Sequence, residues 1–152
     1  MNWSTLNVEM FVGAKEYVDT AVIPLMPFEI SNDDTLEKIT TQHEYLSLIT
    51  TELERELTGR VMLMPAYHYL KTNDLEEEAK RLEGWCKEIK KQPFQHIFFI
   101  TFEPQWKKKE ADLSGEVIWT SAIDIKDKDT KKIKTEIKNQ TEQIKELIKI
   151  YW

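Results

Sequence analysis

The chain of 152 residues predicts one α/β domain, a four-stranded mixed (mainly parallel) sheet flanked by helices. Two observations carry this expectation. Short apolar runs rich in β-branched and aromatic residues alternate with longer stretches of helical periodicity, the order that builds parallel sheets. Leu-Met-Pro also occurs twice, at Leu25-Met26-Pro27 and Leu63-Met64-Pro65, and Pro104 closes a third apolar run. Prolines 27, 65 and 104 are 38 and 39 residues apart, the pace of strand–helix units of about 30 or more residues. Proline has no N–H, so each is expected to end a strand and fix the chain's exit. A chain of this length is the size of one domain, 1–152, and buries roughly 68–70% of its unfolded surface.

The elements follow in order. Residues 4–17 read as a helix, capped by Ser4 or Thr5, with an imperfect apolar stripe of Leu6, Val8, Phe11, Val12 and Tyr17. The first strand spans about 20–28, and Pro24 inside it demands either an edge position or a bulge. Asn32 or Asp33 caps a long helix, about 34–57, with Leu36, Ile39, His43, Leu46, Ile49, Leu53 and Leu57 at steps of three and four. Gly59 stands just past its end, where glycine is the usual residue. A second strand covers about 60–69. Asp74 with Glu77 resembles a capping box and opens a helix through Leu75, Ala79, Leu82, Trp85, Cys86 and Ile89. The third strand, about 94–103, contains the run Ile97 to Ile100, apolar on both faces as a buried central strand should be. The fourth, about 116–124, follows the turn Ser114-Gly115 after only about ten residues, which favours antiparallel addition. A helix over about 130–150 finishes the pattern, its isoleucines inward and its lysines and glutamates on a solvated face.

Composition narrows the chemistry. A formal charge of -6 disfavours nucleic acid, and Lys107-Lys108-Lys109 reads as a solvated loop. One cysteine, Cys86, makes no internal disulfide and reads as a small buried residue. No secretory signal and no apolar stretch of about 20 residues is present, so a cytoplasmic protein without membrane insertion is expected. Nucleotide binding would want a glycine-rich loop after the first strand, but that loop is PFEISNDD, with three carboxylates. No His or Cys pairing has metal-ligand spacing, and no G-x-S-x-G elbow occurs. Neither metal nor cofactor is expected.

One candidate site remains. Ligands of open α/β sheets bind outside the carboxyl ends of the strands. Parallel strands ending at the three prolines would gather Glu29, Tyr67, His68, Glu103 and Trp106 at that rim. Two carboxylates and a histidine there could bind a small molecule or perform acid–base work. The leading expectation is nevertheless a non-catalytic interaction or accessory module with a protein partner, the aromatic and acidic residues merely decorating strand ends, and a small-molecule-binding protein or enzyme at the rim is the alternative.

Trp3 together with AKEYVDTAVIPLMP, residues 14–27, resembles the YpiF-like family of Bacillus-type bacteria. The resemblance implies a cytoplasmic bacterial protein with no activity or catalytic residue to carry over. It also implies genes neighbouring those of a menaquinol:cytochrome c reductase, hence a link to respiration. VIPLMPFE, the long helix closed by Gly59, and LSGEVIW are in addition similar to the N-terminal domain of TolB-like proteins. That likeness implies an α/β assembly and interaction fold with a mixed sheet. The export signal of those proteins is not seen, so the likeness extends to fold alone.

Overall fold

A computed structural model describes residues 1–124 and 128–152. Helix α1 (Thr5–Gly13) leads into strand β1 (Thr20–Phe28), helix α2 (Asp33–Glu56), and strands β2 (Val61–Leu63) and β3 (Tyr67–Leu70). Helix α3 (Leu75–Ile89), strand β4 (His96–Thr101), a 3₁₀ helix (Pro104–Asp112), strand β5 (Glu116–Trp119) and helix α4 (Thr130–Ile150) complete the chain. The caps follow the sequence. Asn32 accepts a hydrogen bond from the Asp34 N–H, and Asp74 from that of Glu76, so each short side chain satisfies an otherwise orphaned helix donor. The first helix is shorter than its pattern, ending at Gly13, and Tyr17 lies exposed beyond it.

The sheet has the order β2-β1-β4-β5, with β3 continuing the β2 side of β1. Every strand pairing among the described residues is parallel. Two hydrophobic layers sandwich it. Ala21, Ile23 and Leu25 of β1 pack with Phe11, Leu82, Cys86 and Trp106 on one face. Val22 and Met26 pack with Leu46, Ile49, Leu53, Ile144 and Ile148 on the other. This split is the period-two alternation of a strand buried on both sides.

The antiparallel fourth strand is corrected: β5 runs parallel to β4, with Phe98 opposite Glu116 and Thr101 opposite Trp119. Because β4 ends at Thr101, residues 102–115 all belong to the connection, which meets the dozen residues a parallel crossover requires. A 3₁₀ helix also rises about 2.0 Å per residue, more than an α-helix, and so returns the chain quickly. It is latched to β5 from both sides: Lys107 Nζ donates to the Val117 carbonyl at 2.8 Å, and Glu110 Oε2 accepts from the Val117 N–H at 2.6 Å. Lys107 is therefore a structural contact within the lysine run.

The prolines do something other than mark equivalent exits, which Pro104 alone does, opening the 3₁₀ helix. Thr20, Val22 and Phe28 exchange hydrogen bonds with Arg60, Met64 and Lys71, so the even-numbered residues of β1 face the β2–β3 side. Pro24 shares that direction. Its missing N–H meets the break between β2 and β3, where Leu63 to Tyr67 spans one residue more than the opposing Val22 to Leu25. Pro65 sits in this bulge, which splits the expected second strand in two. Pro27 faces the other way, towards β4, whose pairing with β1 has already stopped at Pro24 opposite Ile100. Each proline of β1 thus lies where no ladder hydrogen bond exists to lose.

Candidate site at the switch point

After β1 the chain moves through α2 to β2 and β3 on one side. It then crosses through α3, on the opposite face, to β4 on the other side. The strand order therefore reverses between β1 and β4. In open α/β sheets the crevice at the carboxyl ends of two such strands is where ligands bind. A cavity of about 290 Å³ lies at this place.

Its floor and back wall are apolar, formed by Leu25 and Met26 of β1, Ile39 and Leu46 of α2, and Phe102 just past β4. Its polar lining comes mainly from α2: Thr35, Lys38, Gln42 and His43. Thr35, Lys38 and Gln42 follow steps of three and four along one helix face, and His43 stands beside Gln42, two turns on from Thr35. Lower down, the same face supplies Leu46, Ile49 and Leu53 to the core. Lys71 and Glu103 complete the rim.

Two of these polar groups are oriented by the backbone. His43 Nε2 lies 2.6 Å from the Pro27 carbonyl. A carbonyl only accepts, so Nε2 carries the proton and Nδ1 is the remaining ring nitrogen. Gln42 Nε2 donates to the Ile123 carbonyl at 3.0 Å, which fixes the amide, and its Oε1 is buried without a hydrogen-bond partner among the described residues. Lys38, Lys71 and Glu103 form no ion pair among the described residues.

A more open groove of about 620 Å³ adjoins the cavity across His43, with Glu44, Ser47 and His68 on its walls. The His43 and His68 rings stand 5.5 Å apart, centroid to centroid. Partial burial, then the neighbouring His43, holds the His68 pKa below the ordinary histidine value.

Of the five residues expected at the rim, the structure brings two to it: Glu103 lines the cavity and His68 the adjoining groove. Glu29 is half-buried just past β1 and lines neither. Tyr67 turns into the opposite face, where its hydroxyl donates to Glu78 Oε2 at 2.5 Å. Glu78 is itself fully buried and also receives Asn73 and Arg81. Trp106 is fully buried against Tyr69, ring centroids 5.3 Å apart. Tyrosine and tryptophan here follow strand alternation and the 3₁₀ turn into the core. The residues that sequence reasoning missed as site members are Thr35, Lys38, Gln42, His43 and Lys71. A polar interruption of an otherwise apolar stripe, Gln42-His43, was the available signal.

Among the described residues no group of three or more His, Cys, Asp or Glu is placed to hold a metal ion, and no helix is long and apolar enough to cross a membrane. Burial, followed by the charge of Glu83, pushes the Cys86 thiol up to about 12. It is thus protonated at neutral pH, unlike a nucleophilic cysteine.

Comparison with known proteins places this geometry in context. The family model described as "Protein of unknown function (DUF2487)" matches residues 9–152. The chain is also 31% identical over 125 residues to the uncharacterized protein YpiF of Bacillus subtilis (strain 168), covering 82% of this chain and 80% of that protein. No solved structure matches.

Proposed function

Because the chain belongs to the DUF2487 family of proteins of unknown function, we propose a role from the geometry: it binds a small organic molecule in the switch-point cavity, without catalysis. The observation that carries this reading is the cavity itself. It is concave, mostly apolar, and fringed by a few convergent polar groups at the one place where the topology opens the sheet. Its volume of about 290 Å³ lies at the lower edge of ligand pockets, about 300–1,000 Å³, so the ligand is metabolite-sized. Binding is preferred over turnover because, among the described residues, the Thr35 hydroxyl and His43 Nε2 are each turned to a backbone carbonyl rather than to one another, unlike the nucleophile–base pair that covalent catalysis uses.

The test is a fragment screen on ¹⁵N-labelled protein. Fragments that bind should shift the amides of Lys38, Gln42, His43 and Glu103 together. Ala122→Trp, which places an indole at the cavity wall, should abolish those shifts while leaving the rest of the spectrum in place. A library that perturbs other surfaces and leaves these four amides unmoved would refute the reading.

A second reading, a cytoplasmic accessory module that docks on a protein partner, is favoured by one observation. Leu6 and Met10, 67% and 53% exposed, stand one turn apart on α1, and Trp3, 62% exposed, precedes its Ser4 cap. Together they expose apolar surface at the start of the chain. The respiratory link implied by the family resemblance makes a quinol-oxidising complex the first partner to test. Loss of co-purification with that complex in a Trp3→Ser/Leu6→Ser variant is the expected result. Co-purification of neither protein form would count against it.

A further inference from the structure

We propose that the ligand of the switch-point cavity is a free α-amino acid with an apolar side chain, a class that rests on the binding role proposed above. The argument is one of complementarity between unmet groups. Lys38 and Lys71 bring two solvent-exposed ammonium groups to the rim, and neither has an ion-pair partner among the described residues. Each supplies donors only, so together they call for an anion such as a carboxylate. Two other groups of the lining call for the opposite. Glu103 is a half-buried carboxylate without a cation, and Gln42 Oε1 is a buried acceptor without a donor.

The Gln42 amide cannot resolve this by turning over. Its nitrogen is held by the Ile123 carbonyl, which accepts and cannot donate. A plain carboxylic acid would satisfy the lysines and leave two acceptors unmet, one of them charged. A plain amine would satisfy the acceptors and leave the lysines. A ligand with both a carboxylate and a multivalent N–H donor answers both kinds of group at once, and a buried acceptor left without its donor is costly.

The remainder of the ligand is set by the floor. Met26, Leu46 and Phe102 offer nothing to a polar side chain, and burying an unpaired polar group there is unfavourable. The volume sets the size. About 290 Å³ is the space of about ten water molecules at about 30 Å³ each, which suits a leucine- or methionine-sized molecule and excludes a nucleotide.

The experiment is isothermal titration calorimetry of the full chain with four probes: L-leucine, L-serine, 4-methylpentanoate and 3-methylbutylamine. L-leucine should bind at least tenfold more tightly than each of the others, since a hydrogen bond to a charged group accounts for about 10- to 100-fold in affinity. Glu103→Gln should bring leucine down towards 4-methylpentanoate and leave the latter unchanged. Lys38→Met/Lys71→Met should bring leucine down towards 3-methylbutylamine. Both variants alter rim side chains and retain the fold, which their circular dichroism checks. Equal affinity for leucine and 4-methylpentanoate would overturn the amino-acid assignment while leaving a ligand cavity. Failure of every probe in a protein whose cavity amides still answer to fragments would do the same. Silence of those amides to fragments and probes alike would remove the binding role itself.

Discussion

The displacement of Tyr67 from the rim to the core has a measurable consequence in Tyr67→Phe. The substitution removes one hydroxyl, whose 2.5 Å bond goes to Glu78, a side chain with no exposed surface. A hydrogen bond to a charged group contributes about 1.5–3 kcal/mol. The loss falls at the upper part of that range because no solvent reaches Glu78 to replace the donor. Asn73 and Arg81, at 2.8 and 3.2 Å, remain and prevent a larger loss. For a domain of this length each kcal/mol moves Tm by about 2–4 °C, so a loss of about 2–3 kcal/mol should lower the melting temperature by about 4–12 °C. Urea denaturation followed by circular dichroism gives the free energy directly. Glu78→Met measured alone and together with Tyr67→Phe completes a double-mutant cycle. The double variant should recover part of the single losses, because it leaves no orphaned buried carboxylate. A Tyr67→Phe protein within about 0.5 kcal/mol of the parent, or a cycle with no coupling, would refute the assignment of Tyr67 to this network.

Further expectations concern packing, pH and the thiol. At Gly115 a Cβ would stand 2.7 Å from the Ile97 carbonyl and 2.8 Å from Phe99 Cε2. Gly115→Ala should therefore push β5 off β4 and cost about 1–3 kcal/mol, read as a lowered urea midpoint. His68 has its pKa held below 6.5 by burial and by His43, so the unfolded chain takes up the proton first as pH falls. Its contribution to stability is whole above pH 6.5 and is lost as pH drops through the lowered folded value. His68→Gln should accordingly flatten the acid limb of a Tm-against-pH curve, and an unchanged limb would contradict this sign. Cys86 is fully buried with its thiol raised to about 12. Labelling by an aromatic disulfide reagent should be orders of magnitude slower in buffer than in denaturant, and fast native labelling would show the α3 face to be open.

How much of this was written legibly in the chain depends on the range of the interaction concerned. Local signals read true. Asn32 and Asp74 cap their helices as short acceptors should, and Ile97 to Ile100 is buried on both faces. The direction of β5 was misread because it hung on a length: ending the third strand at Thr101 lengthens the connection enough for a crossover. The meaning of Pro24 and Pro27 was hidden for a related reason. A missing N–H is harmless only if the neighbouring strand is absent at that rung, and the rung is set by the register of β2, β3 and β4. Register joins segments about 40 to 75 residues apart in the chain, and no window of sequence contains it.

The candidate cavity belongs to the same class of property. At 1.5 Å per residue the 24 residues of α2 run about 36 Å. At about 3.3 Å per residue the six residues of β4 run only about 20 Å. The helix outreaches β4, the shorter of the two strands that border the switch point. From Leu46 onward its inner face meets sheet and becomes core. Before Leu46 the same face has passed the end of β4, and its residues line the cavity over the last residues of β1. That difference explains why the inner face can change from Thr35, Lys38, Gln42 and His43 to Leu46, Ile49 and Leu53 without a break in the helix. A periodicity count sees one amphipathic stripe with polar lapses. Set against the length of β4, the lapses are where the stripe passes beyond that strand, and the polar residues stand there because that is where polar groups can be reached by something other than protein.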